Sequence, residues 1–427
     1  ENKVPGGRFS RMARLAALGL KTGAGAIFSP HGDDDGGKAT ADRAADVLGT
    51  MRGLAAKVGQ MASYVDGVVP EVHREAYETA MKGLRAAAPT SSISEIRAVV
   101  ERDLGAPIDE LFEEWHDVPV ASASIGQVHR ARMPDGREVA VKVQHPGITK
   151  ALESDLKNAG MFEQFAAIGG ARRFQTKEVL EVVRARFREE LDYEHEAASQ
   201  RRFALAYAGD QQIVVPDVVA ATRRVLVQDW VDGTPLAAVA ATGSPAERDR
   251  AARRYQLFLV SGPERAGLLH TDPHPGNFRI TGDGRLGVLD FGSTLRLPGG
   301  LPPTFGRLLS ALLSGDDEAV LTRLRQDGFV AEGATPDVGK LTDYMAPFSE
   351  PARHEAFRFS RAWLRAEFGR INDPRNPDFA VALQLRMPAE HLFTHRVWLG
   401  MVGVLCQLEA TVPVAPVLRR WLPGFVS

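Results

Sequence analysis

The sequence predicts an α+β chain: a helical N-terminal extension, then a small β-rich lobe, then a larger helical lobe. Three observations predict it. Apolar residues recur at three- and four-residue intervals from Asp42 to Asp66 and again after Ser92, which is the helical period. The texture changes near residue 118, where alternating apolar residues flank the turn Pro134-Asp135-Gly136, the pattern of a hairpin. Beyond Gly233 helical patterning returns and continues to the end, broken by one short hairpin. These changes divide the 427 residues into a basic arm and linker (1–40), a helical extension (41–115), a small lobe (116–230) and a large lobe (231–427).

Each element has its own local reason. Residues 1–28 place Arg8, Arg11, Arg14 and Lys21 beside Leu15, Leu18 and Leu20, a pattern suited to a surface-packed arm or to peripheral contact with an anionic membrane. Ser29 to Thr40 is rich in Gly and Asp and reads as a linker. Val47, Leu48, Met51, Leu54, Ala55, Val58 and Met61 form the apolar stripe of the first helix, and a second begins near Pro70, a residue tolerated at the first helical position. Ser92 with Glu95 makes a capping box for a third, whose buried face is Ile96, Val99 and Val100 and whose end is Gly105. Val118–Arg132 and Glu138–Val143 are the hairpin arms. A charged helical segment runs from Thr176 to about Ala208, Ile213–Val215 and Val225–Gln228 read as strands, and the later hairpin joins Asn277–Ile280 to Leu286–Asp290 through Gly282-Asp283-Gly284.

Composition narrows the function. Basic residues number 52 and acidic residues 54, for a net charge of −2, and 44% of the chain is hydrophobic. That is the profile of an ordinary folded protein, without bulk attraction to nucleic acid. The arginine pairs, such as Arg172-Arg173 and Arg253-Arg254, are scattered rather than gathered into a stripe. The single cysteine, Cys406, excludes a disulfide framework and a Cys-rich zinc site, and reads as a buried small hydrophobe. No run reaches about 18 consecutive apolar residues, the length of a membrane span. The best candidate, Val397–Leu418, is interrupted by Gln407, Glu409, Pro413 and Pro416 and reads as a core helix followed by an irregular tail. The opening residues lack a signal-peptide layout. Together these features predict a cytoplasmic protein.

The chemistry is concentrated in His270-Thr-Asp272-Pro-His274-Pro-Gly-Asn277 and Asp290-Phe291-Gly292. An Asp followed five positions later by Asn, and then by an Asp-Phe-Gly beyond a short hairpin, is the order found in kinase catalytic and metal-binding loops. In that chemistry Asp272 accepts or orients the proton of an attacking hydroxyl, and Asn277 and Asp290 are the Mg²⁺ ligands. Singly, each residue is an ordinary turn former; the ordered set carries the reading. Upstream, Lys142 lies in Val139-Ala-Val-Lys142, like the strand lysine that holds nucleotide phosphates. Ala121-Ser122-Ala123-Ser124-Ile-Gly126-Gln-Val128 aligns with the glycine-rich phosphate loop, with Ala121 and Ala123 in place of its first two glycines. Alanine restricts the backbone where glycine does not, so a stiffer loop with altered nucleotide preference is expected. Acidic partners for Lys142 come from Arg188-Glu-Glu190-Leu-Asp192-Tyr-Glu194-His-Glu196, where Asp192 and Glu196 would share a helix face. The strand Val225–Asp229 running into Trp230 is the candidate adenine-contacting connection, through backbone groups of Gln228 to Trp230.

With Lys57-Val-Gly-Gln60 and Ser63, the alanine-rich loop, Glu190-Leu-Asp192, and the Asp272 and Asp290 loops, the sequence resembles the UbiB-type atypical kinases, the aarF-domain-containing (ADCK) or ubiquinone-biosynthesis kinases, over residues 40 to 300. The resemblance implies a protein-kinase-like two-lobed fold whose Lys57–Gln60 helix covers the cleft, with Lys57 and Gln60 directed at the phosphate site and Glu190 and Asp192 opposing them. It implies Glu196 as the partner of Lys142, with Glu190 the other candidate. It also implies an ATPase or phosphotransferase using ATP or ADP with Mg²⁺, acting on or regulating prenyl-lipid metabolism through a lipid-like or small-molecule substrate. Ser122 departs slightly from the family loop, and the membrane-spanning segments of some members have no counterpart here. Two other readings compete. A small-molecule kinase of the aminoglycoside or choline type shares the catalytic loop, but its open acceptor cleft conflicts with the Lys57–Gln60 helix. A nucleotide-gated scaffold would suit the alanine substitutions.

Overall fold

The computed structural model describes residues 91–122, 125–149, 191–372, 375–376 and 379–426. The arm, the helices expected at 42–66 and near Pro70, and with them Lys57 and Gln60, lie outside the described residues, as do Ala123, Ser124 and Glu190. Among the described residues the chain forms two compact units. The first ends at Leu191 and reclaims Thr222–Val227; the second comprises Asp192–Ala221 and everything from Gln228 onward.

The first unit opens with α1 (Ile93–Leu104). The Ser92 side chain accepts from the Glu95 N–H, Glu95 reaches back to the Ser92 backbone, and Gly105 closes the helix at φ 83°, a left-handed conformation that glycine adopts without a steric penalty. Ile96, Val99 and Val100 are its buried residues. A short α2 (Ile108–Leu111) follows, then β1 (Glu114–Trp115), β2 (Ala121–Ser122), β3 (Gly126–Arg132) and β4 (Glu138–Gln144). The expected arm Val118–Arg132 is therefore broken: Val118 and Val120 are exposed, and pairing resumes at β2 and β3. β3 and β4 pair antiparallel from Gly126↔Gln144 to Arg132↔Glu138, and β4 pairs on its other edge with Val225–Val227.

The second unit begins at α3 (Tyr193–Ala206). The described helix starts there rather than running on from the preceding segment, because Asp192 is extended and caps it. β5 (Ile213–Val214) and β6 (Val218–Ala221) follow, and β7 (Val225–Asp229) carries the chain between the units. β8 (Thr234–Pro235), α4 (Leu236–Thr242), the long α5 (Pro245–Ala266) and β9 (Leu268–His270) lead to a 3₁₀ turn at Pro275–Asn277, then β10 (Phe278–Ile280), β11 (Leu286–Val288) and β12 (Thr294–Arg296). These strands form a four-stranded sheet, β5-β11-β10-β8, and a ribbon, β9-β12. The remainder is α6 (Pro303–Ser314), α7 (Asp317–Gln326), α8 (Val338–Ser349), β13 (Ala356–Arg358), α9 (Arg361–Asn372), α10 (Phe379–Ala382), α11 (Leu392–Leu408), β14 (Thr411–Pro413) and α12 (Ala415–Trp421). The tail after α11 is thus regular, a strand paired with β13 and then a helix, and not irregular as its prolines suggested. Cys406 is buried in the main core. Among the described residues no helix is long and apolar enough to cross a membrane.

Candidate functional site

The second unit builds its site on an aromatic core. Phe203 of α3 packs against Phe291 (5.2 Å) and Phe258 of α5 (5.5 Å), while His270 meets Phe291 edge-on at 5.7 Å. Phe203, Phe258, Phe278 and Phe291 are fully buried, each removing on the order of 150–250 Å² from water. This packing gives the two loops that follow β9 and β11 a fixed base.

From that base the loops are tied to each other residue by residue. His270 places Nε2 2.6 Å from the Asp290 carbonyl; a carbonyl only accepts, so Nε2 carries the proton. Thr271 donates its N–H to the Ser293 carbonyl (3.0 Å), and the two hydroxyls meet at 2.7 Å. Asn277 Nδ2 donates to the Asp272 carboxylate (3.0 Å) and to the Asp272 carbonyl (3.2 Å). The Leu289 N–H donates to the Asn277 carbonyl (2.9 Å), and the Gly292 N–H to Asp290 Oδ1 (3.0 Å). Asp272, Asn277 and Asp290 are thus brought together on one hydrogen-bonded loop system.

Glu196 joins the same system. It is 4% exposed, it accepts the Phe291 N–H at 3.3 Å, and its other oxygen lies 3.5 Å from where a Cβ on Gly292 would sit. Asp192 does not share its role. The sequence placed both on one helix face, but Asp192 is the N-cap of α3 and its carboxylate accepts the Glu194 N–H. An Asp in that position satisfies an otherwise orphaned helix donor.

At the connection, Gln228 is buried and donates from its side chain to the Leu289 carbonyl (3.2 Å), one residue before Asp290. The Asp229 N–H is taken by the Asp217 carbonyl, and Trp230 donates its indole N–H to Asp232. In the first unit, Lys142 sits mid-strand in β4 opposite Val128 and is buried, on the face opposite to that of Val141 and Val143. Ala121 and Ser122 pair with Val128 and Gln127 at an exposed edge, and Gly126 is buried. Several participants escaped the sequence reading: the Gln228 side chain, Ser293, Tyr255 and Gly400. The hydroxyl of Tyr255 donates to the Pro273 carbonyl (2.6 Å), and Gly400 of α11 lies against the Pro273 ring. No spacing motif marks them, because tertiary packing alone brings them to the loop.

Comparison with known proteins bears on the family and the fold. A family model described as the ABC1 atypical kinase-like domain matches residues 83–324. The chain is 28% identical over 439 residues to the mitochondrial atypical kinase COQ8B of Danio rerio, covering 96% of this chain and 68% of that protein. It is 35% identical over 240 residues to the chloroplastic ACTIVITY OF BC1 COMPLEX KINASE 3 of Arabidopsis thaliana, covering 54% of this chain and 33% of that one. The chain thus spans between a third and about two thirds of these relatives' lengths. Among solved structures, the complex of Rv3197 with erythromycin from Mycobacterium tuberculosis is 32% identical, with a TM-score of 0.70 over 97% of this chain and all of that one. The fold is kinase-like.

Proposed function

This chain belongs to the ABC1 atypical kinase-like family, of UbiB type, and from that premise we propose that it binds MgATP and hydrolyses it or transfers its terminal phosphoryl group to a small, lipid-like acceptor of prenyl-lipid metabolism. The observation that carries this reading is the loop system that fastens Asp272 to Asn277 and Asp290 to Gly292 within one unit. Asp272 holds the acceptor hydroxyl or water in line and takes its proton; its carboxylate is oriented for this by the Asn277 amide. Because Asn277 donates from Nδ2 to Asp272, its side-chain oxygen is the atom that would hold a cation. With Asp290 it makes an oxygen donor set, which suits Mg²⁺, an ion held by one or two carboxylates together with substrate phosphates. A Mg²⁺ held by Asn277 and Asp290 would offset the negative charge that develops on the transferred phosphoryl group.

Lys142 is assigned to the phosphates, and Ala121, Ser122 and Gly126, with Ala123 and Ser124, to the loop that covers them. Gln228 and Trp230 flank the adenine connection. Glu196, resting on the backbone of Phe291, keeps the Asp290 loop in place and is the proposed partner of Lys142. Lys57 and Gln60, with Glu190, remain assigned to the phosphate side by resemblance.

Asp272→Asn tests the proposal. Turnover of MgATP should fall about 10²- to 10⁴-fold, the range of a lost general base, while affinity for MgADP stays within about twofold of wild type. Unchanged turnover would remove Asp272 from the mechanism. Asp290→Asn should instead weaken binding of the nucleotide in the presence of Mg²⁺ while leaving metal-free binding unaltered.

A further inference from the structure

We infer that Tyr255 is a positioning residue for Asp272, acting through the carbonyl of Pro273 from the far side of the catalytic loop. The inference rests on the phosphoryl-transfer reading above. Thr271 is tied to Ser293, the Asp272 carbonyl accepts from Asn277, and the His274 carbonyl accepts the Asn277 N–H. His274 also closes the turn by accepting the Gly276 N–H at Nδ1. All of these bonds come from the loops themselves.

Pro273 is different. A proline has no N–H, so this residue can be fixed by hydrogen bonding through its carbonyl alone. That carbonyl takes the Tyr255 hydroxyl at 2.6 Å, and the Tyr255 ring is fully buried edge-on to Phe278 at 5.0 Å. The Pro273 ring itself lies against Gly400 of α11, where an added Cβ would stand 2.4 Å from Pro273 Cγ. Two helices, α5 and α11, therefore grip the residue next to Asp272. The proline also confines the backbone of Asp272 to extended conformations. A shift at Pro273 consequently passes into the Asp272 carboxylate with little chain freedom to absorb it.

The test compares two tyrosine-to-phenylalanine changes in the full chain. Tyr255→Phe removes the hydroxyl that holds Pro273. Tyr207→Phe removes a hydroxyl from a tyrosine buried in the same core, bonded instead to Ser261 at 2.7 Å. Both should lose similar thermal stability. Only Tyr255→Phe should lower kcat, by about ten- to a hundredfold, as a misplaced reacting group does, with KM and MgADP affinity within about twofold of wild type. A kcat loss no larger than that of Tyr207→Phe, or a loss carried by KM, overturns the inference. Asp272→Asn run alongside separates the two failures: if it too keeps full turnover, the catalytic reading has failed; if it alone is inactive, the positioning role has.

Discussion

Glu196 is the residue whose chemistry is most constrained by its surroundings. It is a buried carboxylate in the first turn of α3 that accepts the backbone N–H of Phe291. Truncating it to alanine leaves that buried N–H without an acceptor, a cost of about 1–3 kcal/mol, so Glu196→Ala should lower the unfolding free energy by that amount and reduce turnover as the Asp290 loop loosens. Glu196→Gln keeps a carbonyl oxygen for Phe291 but not the charge. Its stability should lie within about 1 kcal/mol of wild type while its turnover falls with that of the alanine variant. Denaturant unfolding and ATP hydrolysis measured on both variants decide between charge and scaffold; full activity in Glu196→Gln would make the role purely structural. At this scale the sequence was informative where chemistry is ordered along the chain. Asp272, Asn277 and Asp290 were readable because five- and thirteen-residue spacings are imposed by a loop and a hairpin. Asp192 caps α3 instead of lying within a helix, because a helical pattern reads through an N-cap.

Elements were legible in proportion to their length and their caps. The capping box at Ser92 and Glu95 and the stop at Gly105 appear as expected, since both are local bonds. The two- and three-residue strands β8, β9, β12, β13 and β14 are too short to show alternation, and their partners are distant in sequence. The same reason hid the contact between α11 and the catalytic loop. At Gly400 the helix passes so close to Pro273 that a methyl group would overlap the ring. Gly400→Ala should therefore cost about 1–3 kcal/mol by overpacking, although alanine favours helix over glycine by about 1 kcal/mol. Because the displaced group is the neighbour of Asp272, kcat should drop more than stability suggests. Gly403→Ala, on the same helix with open space around its Cβ position, is the matched control and should stabilise or be neutral. Equal effects from the two changes would detach α11 from the site.

Across the whole molecule, the α+β class followed from pattern and its kinase-like, two-lobed form from the motifs, while the division between units, with Thr222–Val227 returned to the first, followed from neither. Such a return depends on strand pairing that no local signal encodes. Acid sensitivity is also a property of the whole molecule, because each unit holds a histidine whose pKa is depressed. In the first, His129 is 1% exposed, stacks on Trp115 at 4.8 Å, and is held below its ordinary pKa chiefly by burial. Its Nδ1 faces the His116 carbonyl and its Nε2 the Gln127 amide, a pairing that a neutral ring completes. In the second, loss of hydration at the half-buried His395 of α11 pushes its pKa down to about 4. A group whose folded pKa is depressed leaves the unfolded chain to bind the proton first, so the stability is complete above about pH 6.5 and declines as pH falls from there toward 4. For His395 the loss is about 1.4 kcal/mol per pH unit, hence about 2 kcal/mol by pH 5. Wild type and His395→Gln should therefore be unfolded by urea at pH 7.5 and pH 5. The variant, which has no proton to gain, should lose about 2 kcal/mol less between the two. Identical losses would show that this imidazole is not kept neutral by its site and would leave His129, tested the same way, as the source of the acid response.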